Sequence, residues 1–249
     1  MQTIKQKRNN NIMKKLLSVL TALLVSVCGL SAADTGSPIS LTLDGGYNNY
    51  YVVDGVAYTL ATPYGALGVS KSFKYVDAYI GGVFLSDEGR NQTHWTLGLG
   101  KSIKVYGDFA LRGDVTATRH QITAGALQSS TELGAKLSLE NPYVTPYVRG
   151  AFFQETEQSG YFVGASREQK LFLGFAITPV VEWGRMTSYD AVNVHGTLTR
   201  PINTPIGVVT PYVDVGWYDN NFDVVKSANL GVKQFKNTVV YSAGAKFTF

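Results

Sequence analysis

The sequence predicts an all-β chain closed into an antiparallel transmembrane β-barrel of about twelve strands, with ten or fourteen also open. Three observations predict it. Apolar residues repeat with period two through most of the chain after residue 33. The alternating segments run to roughly 10 to 13 residues, the length of a tilted bilayer-spanning strand and longer than the ~5 to 6 of soluble sheets. The last segment alternates without a break to an aromatic final residue, Phe249.

The first element is a targeting segment. Lys14 and Lys15 precede an apolar run from Leu16 to Leu30, and the small residues Ser31, Ala32 and Ala33 follow. This reads as a signal peptide cleaved after Ala33, since the run falls short of the roughly 20 residues of a spanning helix. Met13 begins a more ordinary signal than Met1 does. Residues 1–33 are therefore set apart, and residues 34–249 are expected to form a single barrel domain. The only cysteine, Cys28, lies in the signal, so the remainder carries no disulfide or thiol chemistry. Cys28 as a lipoprotein acylation site is the lesser alternative, because Val27 stands where such sites want a small residue.

Strands are expected at 39–50, 56–70, 75–85, 92–102, 105–117, 128–140, 143–154, 168–178, 180–187, 190–201, 206–218 and 237–249. In 105–117, Val105, Phe109, Leu111, Val115 and Ala117 share one face, with Asp108, Arg112 and Asp114 on the other. In 131–139, Leu133, Ala135, Leu137 and Leu139 oppose Glu132, Lys136 and Ser138. Residues 171–177 repeat the alternation through Leu171, Leu173, Phe175 and Ile177. Tight turns are expected at Ile103-Lys104, Asn141-Pro142, Thr178-Pro179 and 202–205. Long polar loops are expected at Ser86–Gln92, Thr118–Gln128, Gln154–Glu168 and Trp217–Asn237. Short turns at one end and long loops at the other are the outer-membrane barrel arrangement.

Aromatic residues gather near strand ends, among them Trp95, Tyr106, Tyr143, Tyr147, Tyr161, Phe162, Trp183, Tyr212, Trp217 and Tyr218. Two interfacial girdles would account for them, although strands are rich in aromatics in any setting.

In the final strand Val239, Tyr241, Ala243, Ala245, Phe247 and Phe249 alternate with Thr238, Val240, Ser242, Gly244, Lys246 and Thr248. The segment resembles the C-terminal signature of Gram-negative outer-membrane proteins. The resemblance implies that Tyr241, Phe247 and Phe249 form the signal read by the barrel-assembly machinery, and that the chain sits in outer-membrane lipid. It identifies no subfamily beyond a porin-like barrel.

Charge excludes one class of partner. The whole chain holds 22 Lys and Arg against 18 Asp and Glu, with pI near 9.0. Five of the basic residues (Lys5, Lys7, Arg8, Lys14, Lys15) lie in the targeting segment, leaving 17 basic against 18 acidic. The basic excess belongs to export, and nucleic acid is not an expected partner.

No catalytic constellation stands out. His94, His120 and His195 are widely spaced. A lipase or deacylase would need one of them beside a serine and an orienting acid or amide, and such an enzyme would lose activity on substitution of His195 or His120. Gly98-Leu99-Gly100-Lys101-Ser102 echoes a phosphate loop, but Trp95 replaces its first glycine and the segment reads as strand. Asn91-Gln92-Thr93 matches a glycosylation acceptor, which has no meaning in a bacterial envelope. No catalytic residue, cofactor or metal ligand is expected.

The informative set is the polar face. Asp77, Asp108, Arg112, Asp114, Glu132, Lys136, Arg149, Glu182, His195, Asp214 and Lys246 lie opposite the apolar stripes and are expected to face the lumen. In lipid such a charge would cost about 2–4 kcal/mol for Arg or Lys at mid-membrane. Two consequences compete. A wet lumen would pass small solutes, its acidic excess mildly favouring cations. Alternatively, the charges pair and occlude the interior of a structural or adhesive barrel that displays Gln154–Glu168 and Trp217–Asn237. Twelve strands enclose more than side chains nearly fill and less than an open 16- to 18-stranded porin.

Overall fold

The computed structural model describes residues 39–53, 56–87, 90–122, 129–221 and 237–249. The expected signal segment lies outside them, as does most of the Trp217–Asn237 loop. Strands follow one another as β1 (Ser40–Val53), β2 (Val56–Ser72), β3 (Asp77–Asp87), β4 (Arg90–Tyr106), β5 (Phe109–Ile122), β6 (Ser130–Glu140), β7 (Thr145–Phe153), β8 (Gln158–Ser166), the two-residue β9 (Gln169–Lys170), β10 (Ala176–Met186), β11 (Tyr189–Thr199), the three-residue β12 (Ile202–Thr204), β13 (Gly207–Asn220) and β14 (Asn237–Thr248).

Every pairing is antiparallel, and the ring closes. β11 pairs with β13, β13 with β14, and β14 with β1 from Thr42↔Thr248 to Asn48↔Ser242. Leaving out the short β9 and β12, twelve strands form the wall. Beyond the last paired residues of the seam, the Asn49 amide takes over from backbone. Its Nδ2 donates to Val239 O at 3.0 Å, and its Oδ1 accepts from Tyr241 N at 2.7 Å. An edge that would otherwise present unpaired N–H and C=O groups is removed.

Period two gives the wall two unlike faces. The outer face exposes large apolar side chains on successive strands, including Leu43, Val69, Ile80, Leu111, Val115, Leu137, Val148, Val181, Val194 and Val215. Hydrocarbon tolerates such a surface and water does not. The buried polar residues Gln92, His94, His120, Glu182, Asn193 and Asn220 belong to the opposite, inner face.

The strand total agrees with expectation, but four elements differ. Ile103-Lys104 is strand, and the chain turns at Gly107-Asp108, where Gly107 adopts φ +54°, a left-handed conformation without penalty for glycine. Residues 158–166, expected within a loop, are β8. Residues 168–178, expected as one strand, divide into β9, a single 3-10 turn at Phe172–Gly174 and the start of β10. Thr178-Pro179 is not a turn but lies inside β10. Pro179 is tolerated because β10 changes partner there. It pairs with β9 through Ile177 and with β8 from Val180, so the missing N–H falls at the interruption.

The alternation of short turns and long loops also gives way. Ser86 and Asp87 close β3, Arg90 already opens β4, and β5 runs on to Ile122. Polar residues taken for loop are strand extensions, because cross-strand backbone pairing does not require an apolar face.

Candidate functional site

Let the proximal end of the barrel be the one holding Ser40 and Thr248, and the distal end the opposite one. The inner wall then has three levels.

At the proximal level Arg112 is clamped by Asp114, with Nε at 3.0 and 3.1 Å from the two carboxylate oxygens and Nη2 at 2.8 Å from Oδ1. Asp77 sits 3.7 Å from Arg112 Nη1 and accepts from Lys101 Nζ at 3.3 Å. Ser102 Oγ donates to Glu140 at 2.6 Å. On the β1 side the Asp44 carboxylate accepts the hydroxyls of Tyr64 at 3.3 Å and Tyr212 at 3.2 Å, and stands in register with Lys246. These groups remain wet: the Arg112 and Asp77 side chains are 30% and 24% exposed, and Lys246 is open to solvent.

At the middle level Arg149 on β7 reaches over β8 to Glu182 on β10, with Nε and Nη2 each 2.8 Å from a carboxylate oxygen. Tyr147 Oη and Asn193 Nδ2 also donate to Glu182, both at 3.0 Å. The reach is possible because β8 carries glycine beneath it. A Cβ on Gly164 would come within 2.6 Å of the Tyr147 hydroxyl, so the ring lies flat where a side chain would have stood. Phe162 lies likewise against Gly184 and takes the Arg149 guanidinium over its face at 3.9 Å. Lys136 lies 4.3 Å over the Tyr147 ring and is exposed on its other side. Asp214 accepts from Thr197 Oγ1 at 2.5 Å and lies 3.2 Å from His195 Nδ1.

Toward the distal end the inner wall is packed. Phe162, Met186, Tyr189 and Ala191 form a buried apolar cluster, with Phe153 against it. Beside it the polar groups are buried too: His94 Nδ1 and His120 Nδ1 are 2.7 Å apart, and His120 Nε2 is 3.0 Å from Glu132.

Of the residues singled out from sequence, the structure brings Arg112, Asp114 and Asp77 together, joins Arg149 to Glu182 and His195 to Asp214, and sets Lys136 and Lys246 on the same inner face. Asp108 is a correction. It occupies the exposed hairpin turn after Gly107, off both strand faces, because that turn falls later than Ile103-Lys104. Tyr241 and Phe249 are exposed on the outer side, and the Phe247 ring packs on Phe249 with centroids 4.4 Å apart and planes tilted by 57°.

The aromatic set also divides. Trp95, Tyr161, Trp183 and Trp217 are exposed on the outer face, and Tyr106 and Tyr143 lie at the proximal rim. Tyr147, Phe162, Tyr212 and Tyr218 point inward, where Tyr218 stacks on His195 at 6.2 Å. The inner-wall roles of Asp44, Tyr64, Tyr147 and Phe162 were not foreseen. For the three rings the signal was a glycine paired with each on the neighbouring strand, Gly46, Gly164 and Gly184, which only the register reveals.

No protein-family model matches the chain, and no curated protein does. Among solved structures the fold is similar to the KdgM porin in complex with disordered oligogalacturonate. Identity is 12%, coverage is 84% of this chain and 99% of that one, and the TM-score is 0.52. It is equally similar to the KdgM porin alone, at 11% identity, the same coverage and TM-score 0.51. The likeness is one of fold: a closed antiparallel barrel of the porin kind.

Proposed function

We propose that the protein is an outer-membrane channel of the porin kind, exported through cleavage of residues 1–33, folded by the barrel-assembly machinery and passing small solutes without chemistry. The observation that carries this is the contrast between an apolar outer face and a charged inner face whose proximal half is wet. A structure of the same fold is a porin holding an oligogalacturonate, which supports a lumen that admits polar solutes.

The wall favours cations. Arg112 and Arg149 are occupied by Asp114 and Glu182, while Asp44, Asp77, Glu132, Glu140 and Asp214 face the interior with Lys104, Lys136 and Lys246 as further fixed cations among the described inner residues. Fixed charge of one sign along a wet passage selects the opposite ion. Purified protein in planar bilayers is expected to give discrete conductance steps, with a reversal potential in a salt gradient on the cation side. A silent barrel that still shows heat-modifiable gel migration overturns the proposal.

A further inference from the structure

We propose that His94 and His120 form a binding site for a late first-row divalent cation, such as Zn²⁺ or Ni²⁺, on the distal inner wall. The two residues are direct cross-strand partners on β4 and β5, so both imidazoles leave the wall at one height. Both are buried, and their Nδ1 atoms face each other at 2.7 Å. One hydrogen bond spans that gap, and its direction is fixed by the third residue.

Glu132 lies 3.0 Å from His120 Nε2 and accepts its N–H. The neutral His120 therefore keeps a lone pair on Nδ1, and His94 donates to it. A carboxylate on the far nitrogen is the arrangement that orients metal-binding histidines and raises their basicity. To admit an ion, His94 moves its proton from Nδ1 to Nε2, and both Nδ1 lone pairs then point into the gap with no net proton lost. Zinc–imidazole bonds of about 2.0–2.1 Å place two nitrogens roughly 3.3–3.4 Å apart around a tetrahedral ion, so the nitrogens part by about 0.6 Å and the rings swing until both lone pairs meet at the ion. Imidazole nitrogen suits Zn, Ni and Cu rather than Mg or Ca. Among the described residues no three His, Cys, Asp or Glu side chains are gathered to hold an ion, so the two imidazoles are the ligands proposed.

The chain has only three histidines, which makes the test clean. The folded barrel, purified without a histidine tag, is titrated with Zn²⁺ or Ni²⁺ by calorimetry at pH 7.5. One ion per chain is expected. Binding is expected to vanish in His94→Gln and in His120→Gln, to persist in His195→Gln and to weaken about 10- to 100-fold in Glu132→Gln. The site is refuted if the wild-type barrel takes up no ion, or if either His94→Gln or His120→Gln, with folding verified by heat-modifiable migration, still binds. Calorimetry is independent of conduction, so a silent barrel that binds keeps the site and loses the channel, and a conducting barrel that does not bind does the reverse.

Discussion

The proximal and middle levels of the inner wall each contain an arginine clamped by a carboxylate, yet the two pairs are physically different. Arg112 and Asp114 meet within one strand, two residues apart, and partly exposed. Arg149 and Glu182 meet across a strand, with Glu182 only 8% exposed and two other protein groups, Tyr147 and Asn193, holding it. The first pair needs nothing from the fold beyond strand alternation, whereas the second needs Gly164, Phe162 and the β7–β8–β10 register at once. Partial exposure leaves the first pair weak and substitutable. Burial makes the second one a commitment, because removing one partner strands a charge.

Four substitutions sharpen this contrast, each read by urea unfolding of the refolded barrel. Phe162→Ala removes the largest fully buried side chain among the described residues, in the distal cluster, and should cost about 3–5 kcal/mol. A loss under about 1 kcal/mol would mean that the distal half is not packed as a core. Arg149→Ala should cost about 3–5 kcal/mol by leaving Glu182 unpaired, and adding Glu182→Gln should recover part of it. Gly184→Ala places a methyl against the Phe162 ring and should cost about 1–3 kcal/mol. Arg112→Ala should cost no more than about 1 kcal/mol, while moving the bilayer reversal potential further toward cations. If Arg112→Ala proved as damaging as Arg149→Ala, the two levels would not differ in the way described.

Sequence patterning was strong where both faces obeyed one rule. β14 alternates outward Tyr241 and Phe247 with inward Ser242 and Lys246, and its limits were read within a residue. β8 was missed because its inward positions are Gly160, Phe162 and Gly164, so apolar Phe162 follows outward Tyr161 and the period is lost. Gly164 seats the Tyr147 ring and Gly160 the Met186 side chain, each from a neighbouring strand. Prolines misled similarly. Pro179 resembles a turn in one dimension and becomes tolerable only where β8 gives way to β9. The charged inner residues were legible one by one. Which carboxylate each arginine takes depends on register, and pattern alone does not carry register.

The seam between β1 and β14 has a temporal meaning. Hairpins such as β10–β11 close over two residues, but Thr42 cannot meet Thr248 until nearly the whole chain has been synthesised. Bringing together ends on the order of 200 residues apart costs about 5 kcal/mol of chain entropy, by logarithmic loop-closure scaling. Little is regained until β14 is paired on both sides. The barrel is thus all but obliged to assemble after synthesis, with the strand ending in Phe249 arriving last to join the two edges.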